Sequence, residues 1–348
     1  MSALEKIIAL ARQKNCSDIH LTMGRPPAFR ENGRLMLWDN VHLSFEAILE
    51  ELINEHQRKM ALSGESVDFM YADAQNARCR VNVYRTQEGI CAAIRLLQEK
   101  VPTLASLGMP SVIQKLAMVP NGLILVTGPT GSGKSTTLAA MVNAINQSCA
   151  KHILTIEDPI EYRHANQKSI VHQREIGRDA HSFKAALHAA LREDPDVILV
   201  GEMRDSETIE AAITAAETGH LVLSTLHTRS AVNTISRIID AFPPEKHRQI
   251  RGQLASLLRG VITQQLIPMS GNRVAALEIL CVNSAVANLI RSDKLAQVFS
   301  IMQMGHQEGM QTMEWQLAEW VKNGLISLET AAAAVNDEEM LMQYIENR

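Results

Sequence analysis

No stretch of this chain approaches the roughly 20 consecutive apolar residues that cross a bilayer, and the opening Met1-Ser-Ala-Leu-Glu-Lys6 has no basic segment followed by an apolar one. Neither a membrane anchor nor a secretory signal is expected. The chain is expected in the cytoplasm, reaching a membrane only through partners. Cysteine is scarce and scattered. Cys16, Cys79, Cys91, Cys149 and Cys281 include no pair at C-x-x-C spacing, which gives no sign of a zinc ribbon or a redox couple. Such thiols suit a reducing compartment, as small apolar side chains. An excess of charge is missing too. With 34 Lys and Arg against 38 Asp and Glu, the net charge of -4 offers no field for gathering nucleic acid, and none is expected as a partner. Internal repeats and low-complexity segments are also lacking.

What the chain does have is apolar residue. Hydrophobic side chains make up 46% of its 348 residues and charged ones 21%, enough for two domains with real cores. Leu4, Ile7, Ile8 and Ala11 recur at helical spacing. Short alternating runs follow at Asp18–Thr22, Pro27–Arg30 and Arg34–Leu37, the last two joined through Asn32-Gly33 in a hairpin signature. One helix is expected over Ser44–Leu62, then strands at Ser66–Tyr71, Ala77–Tyr84 and Ile90–Leu96. This is an α+β pattern, mostly antiparallel, ending near Gln98. Pro102, Gly108, Pro110 and Pro120 mark a stiffened linker over 99–120. Beyond it, apolar strands such as Gly122–Val126 and Val197–Val200 alternate with helices, which predicts a parallel sheet covered on both faces. From Ser284 onward only helical patterns remain, over Ser284–Arg291, Lys294–Met302, Thr312–Lys322 and Ser327–Val335.

The strongest chemical signal is the run Gly128, Pro129, Thr130, Gly131, Ser132, Gly133, Lys134, Ser135. It matches G-x-x-x-x-G-K-[ST], directly after an apolar strand and directly before a helix that opens at Thr136. Glycines let the backbone wrap a phosphate, with its N–H groups and the helix N-terminus aimed at negative charge. Lys134 is expected at the β- and γ-phosphates of ATP, and the Ser135 hydroxyl on Mg2+. Phosphoryl transfer also calls for carboxylates near the metal and the attacking water. Asp196–Val200 is an apolar strand leading to Glu202, which is placed to hold Mg2+ through water or to polarise the nucleophile. A second acidic group, Glu157, Asp158 and Glu161, follows the strand Ile153–Ile156, and at least one of its carboxylates is expected to be catalytic. His220 and His227 bracket the strand Leu221–Thr225, and His227 falls at its phosphate end, where it can sense a γ-phosphate.

In order and spacing, these motifs resemble the secretion and pilus ATPase superfamily. The resemblance covers essentially the whole chain: the P-loop, the acidic box Ile156–Tyr162, the run Asp196–Asp205, the histidine box Thr218–Thr228, the early Ser-Asp-Ile-His-Leu and the segment opened by Arg237. It implies an α/β chain with a PAS-like α+β domain at 1–98, a RecA-like P-loop NTPase core at 121–283 and a helical portion at 284–348. It further implies a homo-hexameric ring. Glu161 resembles the family's catalytic glutamate and Glu202 its Walker B glutamate. Arg80 and Arg95 are similar to two phosphate-approaching arginines of the first domain, although taken alone they read as ordinary strand arginines. Arg204, beside Glu202, is expected among the nucleotide contacts, and Arg237 is a weaker inter-subunit candidate. Without the tetracysteine insertion usual in assembly and secretion motors, the chain most resembles retraction ATPases of the PilT/PilU type; the alternatives are an assembly or secretion ATPase of the same superfamily, or an accessory ring subunit that binds ATP with little turnover. That likeness implies an inner-membrane pilus platform protein as partner, and a paralogous pilus ATPase as a further one. The family's Ala-Ile-Arg-Asn-Leu-Ile-Arg-Glu reads here as Ala285–Ser292, with Ala287 and Ser292 in place of its first arginine and its glutamate.

Overall fold

The computed structural model describes residues 2–31, 33–38, 44–73, 77–97, 100–269, 271–335 and 337–346. Asn32 of the expected hairpin and the expected domain boundary at Gln98 lie outside the described residues. The chain divides into two compact units, Met1–Lys100 and Val101–Arg348. Their order, α+β and then α/β with a helical C-terminal portion, is the expected one.

The first unit contains α1 (Ala3–Gln13), β1 (Cys16–Thr22), β2 (Ala28–Glu31), β3 (Arg34–Leu37), α2 (Phe45–Leu52), α3 (Glu55–Leu62), β4 (Val67–Ala72), β5 (Arg78–Thr86) and β6 (Gly89–Leu96). Its six strands form one antiparallel sheet in the order β3-β2-β1-β6-β5-β4. Ser2 and Glu5 close a capping box on α1, which buries Leu4, Ile7, Ile8 and Ala11 against the sheet core. The single helix expected over Ser44–Leu62 is in fact two helices. Ile53 is extended, and the Asn54 side chain accepts from the Gln57 N–H while the Gln57 side chain accepts from the Asn54 N–H. That capping box gives the backbone a better local partner than continued helix, and the apolar spacing alone did not reveal it.

The second unit is built on β7 (Gly122–Thr127), β8 (His152–Glu157), β9 (Ile170–Glu175), β10 (Val197–Val200), β11 (Leu221–Leu226), β12 (Leu258–Met269) and β13 (Asn272–Cys281). The sheet order is β13-β12-β7-β11-β10-β8-β9, parallel throughout except for the antiparallel pair β12–β13 at one edge. Strands β7, β10 and β11 are buried at every residue. Alternate side chains serve opposite faces: Leu123, Leu125, Ile198 and Val200 enter one core, while Ile124, Val126, Val197 and Leu199 enter the other. The covering helices are α4 (Ser111–Ala117), α5 (Lys134–Ser148), α6 (Phe183–Ala190), α7 (Ser206–Glu217), α8 (Ala231–Asp240) and α9 (His247–Leu257).

The C-terminal portion adds α10 (Ser284–Arg291), α11 (Val298–Met304), α12 (Met313–Lys322), α13 (Leu328–Ala332) and α14 (Glu338–Glu346). The helix expected over Lys294–Met302 begins instead as a 3-10 turn at Leu295–Gln297 and becomes α-helical only at Val298. Sequence periodicity missed α14, and also β12 and β13. The outer edge of β13 is not left bare: Gln316 accepts from the Leu277 N–H at 2.5 Å, and Gln311 donates to the Leu277 carbonyl at 2.8 Å. Side-chain amides thus stand in for the missing neighbour strand.

Glu278 of β13 is buried and accepts from the Ala231 N–H at the start of α8, at 2.6 Å. Burial pushes its carboxyl up to about 7 from an ordinary 4.5; the Ala231 bond opposes the rise and the charge of Glu314 adds to it. Between those two values the folded chain holds a proton that the unfolded chain has released. The stability from this group is therefore complete below pH 4.5 and is lost as pH rises through about 7. Glu278→Gln has no charge to bury. By scanning calorimetry its second unit is expected to melt roughly 4 °C or more above wild type at pH 8, with the gain vanishing at pH 4.5.

Candidate active site

Parallel strands share one C-terminal edge, so the loops after β7, β8, β10 and β11 emerge together. These loops carry the P-loop, the acidic box, Glu202 and His227. The P-loop turns directly from β7 into α5. Gly128 has φ 139°, and a Cβ there would stand 2.2 Å from the Gln264 carbonyl oxygen and 2.7 Å from Ser132 Oγ. Only glycine fits that approach. The N-cap of α5 is Gly133, with φ 88°, no side-chain cap and no acidic residue in the first turn. The positive end of a 15-residue helix is thereby left open to an anion. Ser135 is exposed on this turn, as are Pro129, Thr130 and Gly131, and Thr136 is half-buried.

Lys134 is buried, and its Nζ donates to the carbonyls of Gly128 at 2.9 Å and Pro129 at 3.0 Å. Burial lowers its pKa, and attraction to Glu202 opposes that shift. The loop rests on β12. Gln264, 1% exposed, donates from Nε2 to the Ser132 carbonyl at 2.6 Å and accepts at Oε1 from Thr137 Oγ1 at 2.9 Å. One residue earlier, the Thr127 and Thr263 hydroxyls pair at 2.9 Å.

The acidic box is held by β9. Glu157 accepts from Thr155 Oγ1 at 2.6 Å, from Gln173 Nε2 at 3.2 Å and from the Glu161 N–H. Burial raises its pKa, and those hydrogen bonds work against the rise. Gln173 also donates to the Tyr162 carbonyl at 2.8 Å and accepts from the His164 N–H at 2.9 Å, while Glu175 accepts from the Ile160 N–H at 3.0 Å. The Tyr162 hydroxyl pairs with Thr136 Oγ1 at 3.1 Å, tying the box to the first turns of α5. Glu161 is half-buried and Asp158 exposed.

After β10 the chain is stitched to both neighbours: the Gly201 N–H donates to the Ile156 carbonyl at 2.8 Å, and the Met203 N–H to the Thr225 carbonyl at 3.1 Å. Glu202 pairs with Arg204 at 2.5 Å and lies 3.5 Å from His227 Nε2. Glu202, Arg204 and Asp158 line a cavity of about 340 Å3, together with His181, Lys184 and Asp205.

The structure therefore brings the P-loop, Glu157, Asp158, Glu161, Glu202, Arg204 and His227 to one sheet edge. It does not bring His220 there. His220 precedes the six residues of β11, and its ring bonds the Ala215 carbonyl and the Thr218 hydroxyl at the opposite end of the strand. Arg237 is exposed on the outer side of α8, among Asn233 and Asp240. Arg80 and Arg95 belong to the first unit, where they are cross-strand partners on β5 and β6. Two like charges so placed repel, and each is neutralised by its own carboxylate: Asp68 for Arg80 at 2.6 Å, Asp18 for Arg95 at 2.9 Å. Gln264, Gln173 and Thr137 were not singled out from the sequence. The only signal for Gln264 was a pair of glutamines inside an apolar run, which a buried strand tolerates only when the amide has partners.

A sequence profile described as "Type II/IV secretion system protein" matches residues 2–312. The type IV pilus retraction ATPase PilT of Pseudomonas aeruginosa is 48% identical over 332 residues, covering 94% of this chain and 96% of that protein. A twitching motility protein of Neisseria gonorrhoeae is 48% identical over 320 residues, covering 90% and 86%. Among solved structures, that of the pilus retraction motor PilT with bound ADP superposes with a TM-score of 0.90 at 46% identity, over 99% of both chains.

Proposed function

The chain belongs to the type II/IV secretion system protein family of ATPases, and from that premise we propose that it is the motor subunit of a pilus-retraction ring, driven by ATP hydrolysis. The observation that carries this reading is the gathering of P-loop, two acidic groups and His227 on one edge of the sheet. Each does a separate part of phosphoryl transfer. The open N-terminus of α5 and the charge of Lys134 hold the phosphates of ATP. Glu161 takes the proton of the attacking water. Glu157 keeps the box in place, because its carboxylate is already occupied by three donors. His227, against Glu202, reports whether a γ-phosphate is bound.

The donor set fits Mg2+: Ser135 offers an exposed hydroxyl and Glu202 a carboxylate, both hard oxygen ligands, and Mg2+ is commonly bound by one or two protein groups with phosphate and water. Among the described residues there is no cluster of three or more His, Cys, Asp or Glu fit for an all-protein metal cage. When bound, the ion supplies charge that offsets the phosphate oxygens.

The assembly is a homo-hexamer in which Arg80 and Arg95 of the first domain (residues 1–98) close on the phosphates of the core (121–283), exchanging Asp68 and Asp18 for a stronger anion. Arg237, exposed on α8, serves contacts between subunits. The motor acts on a platform protein at the inner membrane, with a paralogous ATPase as a second partner. No helix among the described residues is long and apolar enough to cross a membrane. The test is steady-state ATP hydrolysis by the purified chain, with mass measured by light scattering in the same samples. Turnover by a hexamer-sized species supports the motor. Nucleotide binding without turnover at any oligomeric size would overturn it in favour of an accessory ring.

A further inference from the structure

We propose that Gln264 is a positioning residue for nucleotide binding: its side-chain amide sets the Ser132–Gly133 peptide plane so that the Gly133 N–H is presented to a phosphate. The proposal deepens the ATP-binding reading above and rests on it.

Register places the residue. Strand β12 pairs in parallel with β7 so that Thr263 lies beside Thr127, which sets Gln264 beside Gly128. Its backbone carbonyl packs on Gly128, and its side chain reaches the other end of the loop at Ser132. A buried primary amide is costly unless both ends are bonded, and here both are. The Thr137 hydroxyl donates to Oε1 at 2.9 Å, and Nε2 donates to the Ser132 carbonyl at 2.6 Å. Turned by 180°, the amide would set its oxygen against the Ser132 carbonyl, acceptor against acceptor, so a single orientation is selected.

That orientation has a consequence for the backbone. In a planar trans peptide the C=O and the following N–H point in opposite directions. Holding the Ser132 carbonyl toward β12 therefore turns the Gly133 N–H away from β12. Gly133 completes the geometry with φ 88°, and a Cβ on it would approach Gln264 Nε2 to 3.1 Å. Without the amide, the plane is free to rotate, and the N–H is presented only part of the time.

Gln264→Met keeps the length and approximate volume of the side chain and removes both bonds. In the full-length chain, calorimetric titration with ADP is expected to show affinity weakened about tenfold, the weight of one good hydrogen bond to a charged group. The KM for ATP is expected to rise with it while kcat stays within about twofold, because the N–H meets the phosphate alike in the ground and transition states. Thr137→Val, which removes only the bond that orients the amide, is expected to weaken ADP about threefold. A merely structural role gives a different split: kcat falls with the folded fraction while KM and ADP affinity stay at wild-type values, and that result overturns the proposal. If Gln264→Met is recovered unfolded, Thr137→Val decides, and unchanged ADP affinity in it overturns the proposal. Should the unaltered chain bind no ADP, the ATP-binding reading falls and the proposal with it. Normal binding by wild type and variants alike removes the proposal alone.

Discussion

Glu161→Gln is expected to lower the rate of ATP hydrolysis by roughly two to four orders of magnitude while leaving ADP affinity near the wild-type value. The substitution keeps the shape of the side chain and removes its basicity, so the loss falls on the step in which water gives up a proton. The acidic box holds three carboxylates, and the structure separates two of them by what already surrounds them. Glu157 is half-buried and accepts from Thr155, Gln173 and the Glu161 N–H, so its oxygens are committed to holding the loop. Glu161 stands half-buried in a loop whose backbone is held by Gln173 and Glu175 and tied to α5 through Tyr162 and Thr136. A base held on fixed backbone is what general-base catalysis needs. The comparison is Glu157→Gln, measured for turnover and ADP binding in parallel. A larger turnover loss in Glu157→Gln than in Glu161→Gln, at equal nucleotide affinity, would reverse the assignment of the two roles.

Lys134→Ala is expected to fail at both steps, with ADP binding weakened by at least roughly tenfold and turnover lowered by about 10²–10³ or more. Its Nζ sits between the carbonyls of Gly128 and Pro129, inside the loop that is to hold the phosphates. Removing it takes away a buried positive charge and its bonds to both carbonyls, of which the Pro129 carbonyl keeps the Ser132 N–H. Lys134→Arg is not expected to rescue it: a planar guanidinium is too wide for a site shaped around one ammonium nitrogen. The two substitutions thus differ in kind, Glu161→Gln sparing affinity and Lys134→Ala losing it. A Lys134→Ala protein that still hydrolyses ATP at more than about a tenth of the wild-type rate would exclude the P-loop as the working site.

These outcomes bear on how the site came to be readable. Most of the parts of phosphate chemistry are local in the chain. The P-loop needs glycines, a lysine and a hydroxyl within eight residues because one turn of backbone wraps one phosphate, and so Gly128–Ser135 stands out without any fold. Glu202 is similarly marked by the apolar strand before it. Legibility ends where the partner is remote in sequence. Gln264 lies 132 residues from Ser132 along the chain, and nothing in an apolar run says which loop its amide will meet.

What the sequence determined by itself was therefore the period of its elements and the chemistry of its short motifs: the amphipathic α1, the buried strands β7, β10 and β11, and the loop that turns between β7 and α5. Each depends on neighbours a few residues away, through backbone geometry and side-chain spacing. The tertiary structure alone decided the order of the strands, and with it which ends meet. His227 and His220 bracket one strand, and what each meets was set by the pairing: one faces Glu202 and the other bonds the end of α7, because parallel pairing sends all C-terminal strand ends to one edge. The split of the helix expected over Ser44–Leu62 was instead local in the chain, where the capping box of Asn54 and Gln57 outweighed apolar spacing. The tertiary structure laid β12 against β7, so that a buried amide can hold a loop that the sequence had already shaped.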